Sequence, residues 1–267
     1  MDLTILPLSD TILAILLATI SSIASGLFGI GGGIFVVPSL NLFLSIFYPD
    51  LTHTMLIAST TSLINVSIVT GMTVYNRRKV LSEYTNKLMW LLPACALGGI
   101  LGELTTRVLS DDAHHIIFFL FIILSLTSLI VTRNRHFKPL PIHLFTIIVF
   151  FIAIICVICG VGLTLLAFPL MIAFGSSKQE AAATCAFNSM ISALFASLIS
   201  FTQPHGQTAL PIFYEDIFLP LIVCSLLLSY PFSQIGIFLN NQISQKNIMT
   251  ALTYILVVIA VLHILSL

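Results

Sequence analysis

The chain has 267 residues, of which 58% are hydrophobic and 7% charged, with formal net charge zero and mean hydropathy +1.12. Soluble domains carry roughly 25% charged residues, so this composition excludes a water-facing globular protein, and the neutral charge removes the basic surface that a nucleic-acid binder needs. The apolar runs are long and continuous, which indicates helices rather than the alternating short segments of a barrel.

The N-terminal stretch to Asp10 carries Asp2 and Asp10 but no Lys or Arg. A secretory leader starts with positive charge, so the first apolar run is expected to be a retained helix at 11–28. It is interrupted by Gly29-Ile30-Gly31-Gly32-Gly33, four glycines in five positions that a regular helix does not accommodate without a propensity cost. A short segment at 34–47 follows. Its 14 residues reach only about 21 Å, less than the ~30 Å hydrocarbon core, and suit a half-helix or a tilted return. Fuller helices are expected at 54–74, 87–108 and 115–132. A polar linker, 133–141, ends the first series, and a second series opens: 142–158, a break at 160–164, a short segment at 165–174, then 181–201, 214–240 (with a kink at Tyr230-Pro231) and 246–266.

The second series repeats the first. Gly29-Ile30-Gly31 before Pro38 matches Gly160-Val161-Gly162 before Pro169, 131 residues on (160 − 29). The helix after each break carries the same polar pattern: Ala58 to Asn65 aligns with Ala181 to Asn188 at an offset of 123 (181 − 58), and Leu101-Gly102 aligns with Ile235-Gly236. The fold class is therefore an all-α polytopic membrane protein of two homologous repeats, 1–132 and 142–267, joined by a cytoplasmic linker at 133–141. Each repeat is a broken helix and half-helix plus three transmembrane helices, eight to ten hydrophobic segments in all.

Positive charge gives the orientation, because cytoplasmic loops are rich in Lys and Arg. If each broken unit enters and leaves on one side, the second half is inverted. Then Arg77, Arg78, Lys79, Lys87, Arg133, Arg135, Lys138, Lys178 and Lys246 share one face and only Arg107 lies opposite. If each broken unit crosses, the halves are parallel and Lys178 and Lys246 join Arg107. The stronger bias favours inverted halves.

Paired interrupted helices at matching repeat positions are the sequence pointer to a transporter's central site. The N-terminus of a half-helix presents unpaired N–H groups and a positive dipole end, and glycine lets an anion come close. The candidate substrate-binding residues are Gly29, Gly31, Gly32 and Gly33 in the first break, and Gly160, Gly162 and Thr164 in the second. The alternative is that these glycines only permit close helix packing. Thr61 and Asn65 share a helix face, as do Thr184 and Asn188. These four, with Ser62, are candidates to coordinate solute, against the alternative of interhelical hydrogen bonds. Glu103 is the only carboxylate inside a predicted span, and Arg107 four residues on suits a structural pair. Cys156 and Cys159 form a C-x-x-C within an apolar run, read as packing, and the histidines show no metal-ligand spacing, so no cofactor and no metal is expected. With no buried proton relay and a lining of N–H, Ser, Thr and Asn, the site suits an anion better than a cation. No H-E-x-x-H, G-x-S-x-G or paired intramembrane aspartate supports an enzyme.

The motif Gly26 to Ile34 with Val37-Pro38, then Ala58 to Ser62, and the echo Gly160-Val161-Gly162 to Pro169 with Gly175 and Ala182-Ala183-Thr184, resembles the sulfite exporter TauE/SafE family, also called the toluene sulfonate uptake permease family. The resemblance implies a multi-pass permease of the bacterial inner membrane for sulfite, sulfonates or related small organic anions. The sequence departs from the family at the second break, where Leu163 and Thr164 stand in place of two glycines. A small anionic solute and the lipid bilayer are the expected partners, and a homo-oligomer is an open possibility. The rival readings are a transporter of a cation, metal or amino acid, and a non-transporting membrane assembly or regulatory protein.

Overall fold

A computed structural model of the chain describes residues 8–51, 53–132, 137–138, 140–202, 213–214 and 216–265. Of the positions raised by the sequence, Asp2, Arg133, Arg135, His136, His205 and Glu215 lie outside the described residues.

The hydropathy pattern resolves into α1 (Leu8–Phe28), α2 (Gly33–Phe47), α3 (Thr54–Asn76), α4 (Arg78–Ser82), α5 (Thr85–Thr106), α6 (Asp111–Thr132), α7 (Ile142–Ile158), α8 (Thr164–Ala173), α9 (Lys178–Thr202), α10 (Leu219–Gln242) and α11 (Gln245–Leu265). Six of these, α1, α3, α5, α6, α9 and α10, are long and apolar enough to cross a membrane. The chain is an all-α polytopic membrane protein. Broad apolar surface on the outward faces of α1, α5 and α6, including Leu16, Trp90, Leu101 and Leu120, is exposed, as a lipid-facing surface must be.

Several elements differ from the sequence expectation. The first helix starts at Leu8 rather than at 11, so Asp10 lies inside it and is buried, its carboxylate accepting a hydrogen bond from Tyr48 Oη at 2.8 Å. Glu103 is thus not the only carboxylate within a span. The segment expected as helix from 214 begins as an antiparallel pair, β1 (Phe213–Tyr214) with β2 (Ile217–Phe218). The helix waits for Pro220, which occupies the first turn, where a missing N–H costs nothing. The short helix α4 was not anticipated.

The breaks form for local reasons. Gly29 takes φ 80° and donates its N–H to Ser25 O, closing α1 in a left-handed cap. α7 ends in the same way: Gly160 at φ 67° bonds Val157 O, and Val161 N–H bonds Cys156 O, a Schellman motif. Each following helix tolerates an internal proline, Pro38 in α2 and Pro169 in α8.

Interactions at the helix ends fix the directions. Tyr48, just past α2, bonds Asp10 in the first turn of α1, so the α1–α2 pair returns to the face from which it entered. At the other face Phe137, before α7, donates its N–H to Ala173 O at the end of α8 (2.8 Å), and its ring packs on Phe174. Lys87 at the start of α5 pairs with Glu180 at the start of α9 (2.9 Å) and lies over the Phe145 ring at the start of α7. Lys178 donates to the Asn240 and Ile243 carbonyls at the end of α10. The starts of α5, α7 and α9 therefore share one face with the ends of α3 and α10. α3 and α9 run antiparallel: Leu63 and Val66 pack with Ala193 and Ala196, and a Cβ on Gly71 would touch Met190.

The series α1, α2, α3, α5, α6 is thus followed by α7, α8, α9, α10, α11 in the opposite direction, and each neighbour relation occurs twice. α1 packs on α10 as α7 packs on α5; α2 meets α11 as α8 meets α6. The first crossing is tight. A Cβ on Gly26 would fall 2.0 Å from Ser233 O, and one on Gly236 2.2 Å from Ile23 O, so only glycine permits the approach. Arg77, Arg78, Lys79, Lys87, Lys138, Lys178 and Lys246 sit towards one face and Arg107 towards the other. Following the positive-inside rule, the first face is labelled the cytoplasmic one and the other the outer one.

Candidate functional site

The two breaks lie side by side, antiparallel, in the buried centre of the molecule. Thr164 Oγ1 of the second break donates to Gly29 O of the first. A Cβ on Gly162 would sit 2.4 Å from Ile30 O, and one on Gly33 2.6 Å from Gly160 O. Around this pair the helices after the breaks close in: Gly29 against Ala182 O of α9, Gly160 against Ser59 of α3, Gly31 against Val66 and Thr70 of α3, and Gly32 against Ser21 of α1. Close packing is therefore a role these glycines fill. Gly31 and Gly32, at φ 74° and 77°, also adopt left-handed backbone that other residues avoid. The second break reaches its helix differently. Leu163, which replaces a glycine, has φ −63° and ψ −14° and is already helical.

Packing leaves the donors at the α2 N-terminus unspent. Among the described residues no acceptor meets the N–H groups of Gly31, Gly32, Gly33 or Ile34, and the Ser21 hydroxyl beside Gly32 has no partner. At α8 the equivalent position is occupied, because Leu163 N–H donates to Ser189 Oγ at 2.9 Å.

The polar stripes divide just as unevenly, but in the opposite sense. On α3 every candidate is engaged. Thr61 Oγ1 accepts from Phe218 N–H (3.0 Å) and reaches Asp216 O (3.4 Å), which pins the β1–β2 hairpin. Ser62 Oγ donates to Gly160 O at 2.6 Å. Asn65 accepts from Ser225 Oγ at 2.6 Å and offers its amide to Gly31 O at 3.5 Å. Thr164 spends its hydroxyl on Gly29 O and so does not stand free as the additional donor that the sequence suggests. On α9, Thr184 Oγ1 and both amide atoms of Asn188 are fully buried without a partner. The repeat explains the difference: Ser225 on α10 corresponds to position 91 on α5 (225 − 134, from Gly236 over Gly102), which is Leu91. Thr184 and Asn188 flank the α9 residues that touch the breaks, Ala186 against Gly29 and Ser189 against Leu163.

A cavity of about 410 Å³ opens at the cytoplasmic face, lined by Asn86, Lys87, Trp90, Phe145, Phe174 and Ser176 among others. None of the candidate substrate-binding residues lines it. Phe174 is the repeat equivalent of Phe43 (174 − 131), and at the outer face the corresponding groove is filled: Phe218 packs on Phe43 at 6.4 Å and Phe213 on Tyr48 at 5.9 Å. The hairpin closes the outer side, and its counterpart stands open within.

The remaining charged and sulfur-bearing groups behave structurally. Arg107 Nε donates to Glu103 Oε1 at 3.1 Å, and Ser200 Oγ donates to the same oxygen at 2.7 Å. The Cys156 and Cys159 thiols are free and buried, and no group of three or more metal-binding side chains occurs among the described residues. Sequence reasoning missed Ser21, one of several hydroxyl side chains in α1, and Arg77, whose burial no local pattern signals.

A family model described as "Sulfite exporter TauE/SafE" matches residues 13–263. The chain belongs to the sulfite exporter TauE/SafE family. Membership makes it a multi-pass membrane protein of a transporter family whose substrates are sulfite or related anions. No curated protein and no solved structure matches the chain.

Proposed function

We propose that this TauE/SafE protein is a secondary permease for a small anion, sulfite or a sulfonate, bound at the paired breaks between two inverted halves, 1–132 and 142–267. The observation that carries the reading is Asn188. Its amide is fully buried in a membrane protein with neither atom hydrogen-bonded, whereas the repeat equivalent Asn65 meets Ser225 Oγ and Gly31 O. Buried polar groups without partners are costly, by about 1–3 kcal/mol on mutational scales, and a ligand that supplies the missing partner recovers that cost. Thr184 is oriented by the same helix face, and the four free N–H groups of α2 add the positive end of a helix dipole. Every donor in this set suits an oxyanion, and no carboxylate competes with it at the breaks.

The hairpin plug outside and the cavity inside support an inward-facing conformation. Exchange to the outer face would rock α1–α2 and α7–α8 against the antiparallel α3–α9 pair, with the cytoplasmic segment 133–141 joining the halves. The test is flux into proteoliposomes for a panel of sulfite, sulfate, methanesulfonate and a carboxylate. Saturable movement of sulfite or the sulfonate is the expected result. A folded, inserted protein that moves none of the panel overturns the proposal, and movement of a cation or amino acid in their place assigns it to another solute class.

A further inference from the structure

Arg77 is 3% exposed, and its guanidinium makes one hydrogen bond, from Nη2 to Gly26 O at 2.7 Å. Its Nε has no acceptor, and no carboxylate lies within ion-pairing distance among the described residues. Other cations are compensated: Lys87 by Glu180, Arg107 by Glu103, Lys178 by the carbonyls that end α10. What offsets the Arg77 charge is the C-terminal end of α1, where Asn240 Nδ2 also caps Leu27 O. A helix end supplies only about half an elementary charge, and a buried cation without a full counter-charge is destabilising.

Arg77 also ends a seam of polar groups between α1, α3 and α10. Ser25 Oγ meets Thr73 Oγ1 at 2.8 Å, Asn76 donates to Ser233 Oγ at 2.8 Å, and the Ser21 and Ser229 hydroxyls are buried without partners. The seam leads from Gly32, where Ser21 sits, to the cytoplasmic end of α3. The repeat places Ile152, Cys156, Ala196, Cys95 and Gly99 at the positions equivalent to Ser21, Ser25, Thr73, Ser229 and Ser233. At these five positions the second interface carries no hydroxyl, and at the position equivalent to Arg77 it holds Ser200, which bonds Glu103.

We propose that Arg77 is a second binding point for the transported oxyanion, at the cytoplasmic end of this seam. The inference rests on the permease reading above and adds to it a route and a specificity-determining residue. The anion supplies the missing counter-charge and takes hydrogen bonds from Nε and from the seam hydroxyls; a cation is repelled at the same point.

The test measures transport of radiolabelled sulfite and methanesulfonate by the full chain in proteoliposomes, with thermal stability read in parallel, for wild type, Arg77→Lys and Arg77→Gln. Lysine keeps the charge but loses the planar fork, so KM is expected to rise about three-fold; glutamine loses both, and KM is expected to rise about ten-fold or more. A role confined to capping α1 predicts lower stability with unchanged KM, and that result overturns the proposal. If the glutamine variant does not fold, the lysine variant decides, since an unchanged KM there is equally adverse. Wild-type protein that moves neither anion defeats the permease reading itself. Wild-type flux with Arg77-independent KM defeats only the second binding point.

Discussion

Replacing Asn188 by leucine separates a ligand-binding amide from a structural one. Leucine keeps the branching at Cγ and places methyl groups where the amide has oxygen and nitrogen, and Asn65→Leu carries the same added bulk as a control. Asn188 makes no hydrogen bond, so nothing is lost in the ligand-free protein, and removing an unpaired buried amide is expected to stabilise it by about 1–3 kcal/mol. Asn65→Leu is the control. It removes the bonds to Ser225 and Gly31, each worth about 0.6–1.7 kcal/mol in a membrane protein, and should destabilise by about 1–3 kcal/mol. At about 2–4 °C per kcal/mol for a chain of this size, the two variants should melt on opposite sides of wild type. Transport should show a different order. A hydrogen bond to a charged ligand contributes about 1.5–3 kcal/mol, so Asn188→Leu should weaken sulfite binding about 10- to 100-fold. The assays are thermal unfolding of the detergent-purified protein and sulfite flux in proteoliposomes. If Asn188→Leu destabilises as much as Asn65→Leu, or leaves KM at the wild-type value, the amide is structural and the argument from its missing partners is refuted.

Three further outcomes are expected. Gly32→Ala should abolish folded protein on detergent size exclusion, because its Cβ would sit 2.2 Å from Ser21 Cβ, whereas Gly175→Ala, at φ 92° with open space around it, should lose only the left-handed backbone cost of about 1–2 kcal/mol. Single cysteines at 87, 178 and 246 should react with an impermeant maleimide only from the cytoplasmic side, and one at 107 only from outside; labelling of 178 from outside would contradict the inverted arrangement. Glu103→Gln removes the buried ion pair with Arg107 and should cost about 3–5 kcal/mol in chemical denaturation, with Glu103→Gln/Arg107→Gln recovering much of the loss.

The helices, both breaks and the internal match were legible because each depends on neighbours in sequence. Mean hydropathy marks the spans, glycine and proline mark their interruptions, and the return of Gly-x-Gly before proline after 131 residues marks the second series. The second junction marks the limit of that information: Leu163 is helical where Gly32 is left-handed, and Gly162 does not share the positive φ of Gly31. The hairpin at 213–218 escaped because two strand residues are too few to show a period, and the helix that follows hides them in one apolar run. Asp10 was placed outside its helix because charge near a span end reads as a boundary, although Tyr48, 38 residues on, gives that carboxylate a buried partner.

What the sequence determined by itself was a polytopic membrane protein, repeated once, with two breaks rich in glycine and small polar side chains. What only the tertiary structure decided was which of those side chains remain free. Thr61, Ser62 and Asn65 are equivalent by repeat to Thr184, Cys185 and Asn188, yet the first three are consumed by Phe218, Gly160 and Ser225, residues 98 to 160 positions away in sequence. The same holds for Gly32, whose sequence suggests room for an anion while its neighbour Ser21 leaves no room for a Cβ, and for Arg77, whose burial comes from the tip of α1. Hydrogen-bond capacity belongs to a residue, but whether it is spent depends on the partner that folding brings to it, and for Thr61, Ser62 and Asn65 those partners come from the opposite half.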